Sequence, residues 1–246
     1  MVNKRYRSRG RVGPEGRPPD GEAMHSVGSM MGDGAGGLVS SAAGKRLQRA
    51  LKRAMDIIIA GMGLAILWPL FVLLALAIKL NSPGPTFYMW PVVGLGGRHF
   101  ISYKFRTMVA DADELKEELL HRNEMIGPVF KMKNDPRVTG VGRMMRKFSL
   151  DELPQLWSVV KGDMSLVGPR PPLQKEYALF SPWQKQKLLF KPGITCLWQV
   201  SGRNEIHDFD EWIRLDLAYI RDWSLWLDIK ILLKTIPAVF RARGAS

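Results

Sequence analysis

Residues 57–78 read Ile57-Ile58-Ile59-Ala60-Gly61-Met62-Gly63-Leu64-Ala65-Ile66-Leu67-Trp68-Pro69-Leu70-Phe71-Val72-Leu73-Leu74-Ala75-Leu76-Ala77-Ile78, 22 positions without a charge. At about 1.5 Å per residue, a helix of this length matches the roughly 30 Å hydrocarbon core of a bilayer. Pro69 lies near its middle and removes one backbone hydrogen bond. Lys45, Arg46, Arg49, Lys52 and Arg53 precede the run and Lys79 follows it. Because basic flanks stay on the cytoplasmic side, both ends are drawn to the same face. A helix that enters, bends at Pro69 and returns satisfies both ends. A Pro-kinked spanning helix and a buried core helix are the alternatives.

The charge balance outside this run agrees with a membrane surface. The chain has 246 residues and a net charge of +13. Such an excess calls for a polyanionic partner: nucleic acid, anionic lipid or a phosphorylated substrate. Residues 1–53 hold 11 basic against 4 acidic side chains. Residues 1–44, rich in Gly, Arg, Ser and Pro, have too few large apolar groups to offset their ordering entropy, which predicts a disordered basic tail. One cysteine, Cys196, cannot form an intrachain disulfide, consistent with a reducing compartment. No CxxC or Cys/His ligand spacing is present, which argues against structural zinc.

After the apolar run, Ser82-Pro83-Gly84-Pro85 forces a stop. Val92 to Gly97 reads as a turn. Phe100 to Met108 alternates with period two, so that Lys104 and Arg106 share one face of a strand. Two cations on one face can grip a diphosphate; they equally suit a solvated strand face. Asp111 to Arg122 reads as a charged surface helix, Arg143 to Arg146 as a short basic helix, and 152–161 as a helix stopped by Gly162. Further on, Trp212, Trp223 and Trp226 stand among Ile, Leu, Lys and Arg. That mixture fits amphipathic helices at a headgroup layer, or helices whose Trp residues pack the core.

Chemistry concentrates at Ser149-Leu150-Asp151-Glu152-Leu153-Pro154-Gln155. With Ser149 as N-cap, Glu152 completes a capping box but Pro154 lies too deep in the helix; with Asp151 as N-cap, the preferred reading, Pro154 falls at the third helical position, where its missing N–H costs nothing. Two carboxylates then lie at a positive helix end, which favours their ionised form and attracts phosphate. Taken alone, such residues are ordinary caps. Their surroundings point further. Arg143, Arg146 and Lys147 come just before, and Gly168-Pro169-Arg170-Pro171-Pro172 follows. Prolines on either side of Arg170 stiffen its backbone, and a guanidinium so presented suits a bidentate phosphate contact.

Four motifs in order complete the picture: Tyr103-Lys104-Phe105-Arg106-Thr107-Met108; Ser149 to Leu156; Lys161-Gly162-Asp163-Met164-Ser165-Leu166-Val167-Gly168-Pro169-Arg170-Pro171; and Lys191-Pro192-Gly193-Ile194-Thr195 with Trp198-Gln199-Val200-Ser201-Gly202-Arg203. Together they resemble the bacterial sugar transferase family, the monotopic polyprenyl-phosphate phosphoglycosyl transferases, over about residues 45–240. The resemblance implies a helix-rich α/β monotopic membrane protein: a tail over 1–44, a re-entrant helix over 45–80 broken at Pro69, and a cytoplasmic catalytic domain over 81–246 with interfacial C-terminal helices. It implies transfer of hexose-1-phosphate from a UDP-sugar to undecaprenyl phosphate, with release of UMP. Galactose and glucose are the leading sugars by family habit. The setting would be the first membrane step of exopolysaccharide, capsule or O-antigen synthesis, on the cytoplasmic face of a bacterial inner membrane. Asp151 would be the nucleophile, with Mg²⁺ assisting beside it. Glu152 would position groups or help deprotonate the lipid phosphate. Lys104, Arg106, Arg146 and Arg170 would hold phosphates, and Gln199 and Arg203 would face the nucleotide. Anionic lipids and downstream glycosyltransferases are the expected partners, nucleic acid not.

Three positions depart from the family pattern. Trp68 stands where Ser often precedes the membrane proline, Val92 where Arg commonly precedes Val-Gly, and Cys196 where Gly is usual. Two rival readings compete. An acid–base hydrolase fits poorly, since adjacent residues at a helix start point in different directions. A basic membrane-surface binder without catalysis would rest on charge alone, and the signatures of nucleic-acid binders are not evident.

Overall fold

The computed structural model describes residues 42–201 and 206–240. The tail expected over 1–44 lies outside the described residues up to residue 41, and residues 42–44 already belong to the first helix. That helix, α1, spans Ala42–Asn81, and helical geometry continues through Pro69. It is long and apolar enough to cross a membrane. Much of its surface is apolar and uncovered, with Ile66 73% and Leu80 80% exposed. A contiguous apolar face of this kind is not stable against water and calls for lipid or a partner.

Both halves of α1 rest on the rest of the chain. In the basic half, Lys52 donates to the Val167 carbonyl at 3.0 Å and pairs with Asp228, which also accepts from the Tyr219 hydroxyl at 2.7 Å. Arg53 donates to the carbonyls of Val159 and Val160 at 2.6 and 2.8 Å. Those are last-turn carbonyls of a helix, which have no intrahelical N–H of the α-helical kind to accept from. Asp56 accepts from the backbone N–H of Leu166 at 3.1 Å. In the apolar half, Leu74 and Ile78 pack with Phe105 and Met145, flanked by Leu70, Phe71, Val141 and Leu150.

Beyond α1, strands β1 (Phe87–Val93) and β2 (His99–Phe105) form an antiparallel hairpin with Trp90 opposite Ser102 and Tyr88 opposite Lys104. The turn expected from Val92 to Gly97 is shorter: Val92 and Val93 still pair within β1, and a 3₁₀ turn over Leu95–Gly97 closes the hairpin. The strand predicted to Met108 ends at Phe105. Helices α2 (Ala112–Leu119) and α3 (Gly140–Lys147) follow, the latter capped by Thr139, whose hydroxyl accepts from the Gly142 N–H. After α4 (Gln155–Lys161), Gly162 at φ 95° ends the helix, as its position after the apolar run predicts. Strand β3 (Ser165–Val167) pairs in parallel with β4 (Gly193–Thr195). Helix α5 (Gln174–Tyr177) lies between them in sequence, and α6 (Leu197–Val200), α7 (Phe209–Arg221) and α8 (Leu225–Phe240) complete the described chain.

The main core gathers Met164, Leu197, Trp198, Phe209, Ile213, Tyr219 and Ile231 around β3 and β4, and Ala60 of α1 joins it. The C-terminal tryptophans therefore divide. Trp212 is buried and stacks on Trp198 with ring centroids 4.2 Å apart. Trp223 donates to Asp228 at 3.3 Å. Trp226 is exposed, in one stripe of α8 with Ile229, Leu233 and Ile236. The core-packing alternative holds for Trp212, while Trp226 lies on the protein surface.

Candidate active site

The Asp-Glu segment does not start an α-helix. Leu150–Glu152 form a 3₁₀ turn, with the Glu152 N–H on the Ser149 carbonyl and the Leu153 N–H on the Leu150 carbonyl. Pro154 is the N-cap position of α4. Without an N–H, Pro154 cannot bond back to Leu150, so the chain tightens to 3₁₀ before the α-helix begins. Ser149 takes a left-handed conformation, φ 53°, and its side chain caps nothing. A non-glycine residue held there costs on the order of 1–3 kcal/mol, and such positions gather at functional sites. Asp151 is thus carried on a sharp corner between α3 and α4 rather than on a helix end.

That corner lines a cavity of about 410 Å³ with Lys104, Arg146, Arg170, Asp151 and Glu152 on its walls. Lys104 Nζ lies 2.8 Å from Glu152 Oε1 and 3.9 Å from the centre of the Trp90 ring. Burial lowers the Lys104 ammonium, against the opposing pull of Glu152 and Asp151. Arg170 approaches Glu152 to 4.0 Å and faces Trp90 at 5.6 Å. Its Pro-rich segment is pinned from both sides: the Gly193 N–H donates to the Pro169 carbonyl and the Val93 N–H to the Pro172 carbonyl, each at 3.0 Å. A Cβ on Gly193 would stand 2.1 Å from the Gly168 nitrogen, so only glycine allows this approach. Arg146 donates to the Thr107 hydroxyl at 3.0 Å. Its guanidinium is lowered by burial, with Asp151 and Asp135 acting against that shift.

Arg106 is built differently from its strand neighbour Lys104. It lines the cavity, but its guanidinium donates to the Pro83 carbonyl, and to the Ser82 carbonyl at 2.7 Å and hydroxyl at 3.0 Å. It clamps the turn that ends α1. Gln199 lies on a second cavity, behind the Asp-Glu turn, and accepts from Cys196 Sγ at 3.2 Å. Arg203 lies outside the described residues. The Cys196 thiol is fully buried and its pKa is pushed well up by that burial, so it is inert. Val92 is buried in β1 and bridges to Leu173.

Several lining residues escaped the sequence reading. Arg137 grips Asp135 in a two-pronged pair, with contacts at 2.6 and 2.9 Å, and both line the cavity. Asp135-Pro136-Arg137 was the available signal: a proline-stiffened Asp-x-Arg can pair with itself. Trp90, Trp198 and Trp212 add aromatic wall. The cavity carries six basic side chains (Lys104, Arg106, Lys131, Arg137, Arg146, Arg170) against four acidic ones (Asp113, Asp135, Asp151, Glu152). The excess suits a polyanion such as a diphosphate.

Among the described residues no group of three His, Cys, Asp or Glu could hold a metal alone. Mg²⁺ does not require one. It keeps waters and binds through one or two carboxylates plus substrate phosphates. The carboxylates on the cavity wall are Asp113, Asp135, Asp151 and Glu152, of which Asp135 pairs with Arg137 and Glu152 with Lys104.

Comparison with known proteins adds a lineage. A family model described as bacterial sugar transferase matches residues 47–242. Over 194 residues the chain is 50% identical to the galactosyl transferase CpsE of Streptococcus agalactiae, covering 79% of this chain and 43% of that protein. Over 206 residues it is 47% identical to the undecaprenyl-phosphate galactose phosphotransferase of Salmonella typhimurium, covering 82% and 43%. The exopolysaccharide production protein ExoY of Rhizobium meliloti is 41% identical over 198 residues, covering 79% and 87%. The chain thus spans less than half the length of the first two of these curated relatives.

Proposed function

The chain belongs to the bacterial sugar transferase family, and from that premise we propose that it transfers a hexose-1-phosphate, galactose or glucose, from a UDP-sugar to undecaprenyl phosphate. The observation that carries this reading is the convergence of Lys104, Arg146 and Arg170 on the Asp151-Glu152 corner within one cationic cavity. The names of the relatives, a galactosyl transferase and an undecaprenyl-phosphate galactose phosphotransferase, support the choice of substrates.

The chemistry follows from the arrangement. The Asp151 carboxylate attacks the sugar-bearing phosphorus, a phosphorus–oxygen bond forms, and the bond to UMP breaks, leaving a phosphosugar-aspartate. An oxygen of the lipid phosphate then attacks the same phosphorus, and Asp151 is released. One phosphoanhydride is exchanged for another. Lys104, Arg146 and Arg170 neutralise the phosphate oxygens, the largest demand of phosphoryl transfer. Glu152, tied to Lys104, orients that cation and the incoming phosphate. Asp151 and the donor diphosphate would share Mg²⁺, which when bound lowers the negative charge on the diphosphate. Arg203 is assigned to the nucleotide end, and Arg106 to the ring of phosphate cations through its place on the cavity wall; Gln199, expected at the nucleotide, lines the second cavity instead.

The membrane reading rests on α1. Lys52 and Ile78 contact the same body of the protein at opposite ends of an apolar run. A helix crossing the roughly 30 Å core would separate them. We therefore assign α1 to a re-entrant path bent at Pro69 within a continuous helix, residues 81–246 to the cytoplasmic face of the inner membrane, and the Trp226–Ile236 stripe of α8 to the headgroup layer, beside anionic lipids. Residues 1–41 are read as a basic segment ahead of α1. The product would pass to downstream glycosyltransferases in polysaccharide synthesis.

The direct test is UMP release from a panel of UDP-sugars by purified protein in detergent with Mg²⁺ and undecaprenyl phosphate. Release with one sugar, sustained only with lipid and lost in Asp151→Asn, is the expected result. Sustained turnover that ignores lipid would indicate a hydrolase. No release with any sugar would remove the transferase reading.

A further inference from the structure

The Asp-Glu turn has a second side. Behind it Leu150, Leu153, Leu156, Val200, Ala238 and Val239 enclose a mostly apolar cavity of about 250 Å³, and Glu152 lines both this cavity and the cationic one. We propose that this second cavity takes the first isoprene units of the acceptor lipid, while the acceptor phosphate occupies the place vacated by UMP. The uridine and the prenyl chain would then share one phosphate position and diverge on either side of Glu152. This rests on the transferase reading given above and goes beyond it by assigning the lipid chain its own place.

The wall is built for an apolar guest. Several of its polar atoms are engaged within the protein. Thr195 and Thr235 share a hydroxyl–hydroxyl bond of 2.8 Å, and Thr235 donates to the Ile231 carbonyl at 2.8 Å. Gln199 accepts from Cys196. With those atoms paired, most of the surface left to a ligand is methyl and methylene, and polar groups of a ligand would find few partners there. The lining side chains Thr235, Ala238 and Val239 fall on one face of α8, at helical spacing, nearly opposite the exposed Ile229, Leu233 and Ile236. Lys147 at the rim supplies a cation where a lipid phosphate would pass.

The cavity also borders the membrane helix. Leu150 packs with the Leu74–Ile78 cluster of α1. A Cβ on Gly63 of α1 would stand 3.1 Å from Leu156 Cδ1. A prenyl chain lying beside α1 in the hydrocarbon could therefore enter without crossing water. The occupant that these neighbours favour is the lipid chain itself. The cavity is too small for a whole undecaprenyl chain, so the remainder stays in the bilayer.

The test uses the full chain in detergent with a polyprenyl phosphate carrying a diazirine on its first isoprene unit. The expected label falls within residues 147–156, 194–200 or 235–239 and is displaced by excess undecaprenyl phosphate. Displaceable label confined to the outer face of α1 or to the cationic cavity, or no displaceable label, overturns the proposal. In parallel, Ala238→Trp fills the cavity. It should raise the KM for undecaprenyl phosphate at least tenfold while one equivalent of UMP per protein is still released from UDP-sugar without lipid. An unchanged acceptor KM overturns the cavity assignment alone. Absence of that UMP burst from the unaltered protein overturns the transferase reading beneath it.

Discussion

Replacing Lys104 by Met keeps an unbranched chain of similar length over Trp90 but removes the ammonium. In the structure that ammonium sits 2.8 Å from Glu152, with the two side chains only 14% and 12% exposed. At an effective dielectric constant of 20, unit charges at this distance attract by about 6 kcal/mol, and the cost of withdrawing both from water cancels much of it. The Arg170 guanidinium, 4.0 Å from the same carboxylate, recovers part of what remains. A net penalty of about 3 kcal/mol follows, roughly a hundredfold in kcat/KM for the UDP-sugar if the ammonium faces the developing charge. UMP release under single-turnover conditions reads this directly. The pH profile separates charge from packing. Burial holds the Lys104 pKa below that of a free lysine, so activity that needs the ammonium is flat at low pH and falls as pH rises through the lowered value. Lys104→Arg, which does not titrate there, should move this alkaline limb upward even if the rate is reduced. A Lys104→Met protein within threefold of the unaltered rate, with the alkaline limb unmoved, would refute the claim that this lysine faces the phosphates.

Asp151→Asn should abolish both UMP release and the covalent phosphosugar adduct detectable by intact-protein mass spectrometry, while Glu152→Gln retains measurable adduct; equal loss from both would overturn the division of roles. Lys52→Met leaves Asp228 buried among Tyr219 and Trp223 without its cation, a change worth about 3–5 kcal/mol. A fall of several degrees in the melting temperature in detergent should follow, with partial recovery in Lys52→Met/Asp228→Asn. For topology, Asp20→Cys in a Cys196→Ser background should resist a membrane-impermeant thiol reagent in intact cells. Ready labelling would mean that α1 spans the bilayer.

What the sequence reveals depends on how local the cause is. The apolar run, the Thr139-capped basic helix and the Gly162 stop are legible because each is decided within a few residues by charge, capping or a permitted positive φ. The corner at Asp151 was half legible. Counting from an N-cap gives Pro154 a harmless place in a helix, but a left-handed Ser149 and a 3₁₀ turn satisfy the same missing N–H at closer quarters, and nothing local chooses between them. Lys104 and Arg106 share a strand face by period, yet only Lys104 meets Glu152, because Arg106 lies where β2 leaves the hairpin and meets the carbonyls that end α1. The same physics governs the tryptophans. Trp212 and Trp226 have similar neighbours in sequence, but Trp212 comes against Trp198, while Trp226 is exposed and its ring meets the Lys230 ammonium 5.7 Å away. Period and composition tell which groups can face a phosphate or a lipid. Which ones do is settled by the long-range contacts that bring β2, the Pro-Arg-Pro segment and α1 against the Asp-Glu corner.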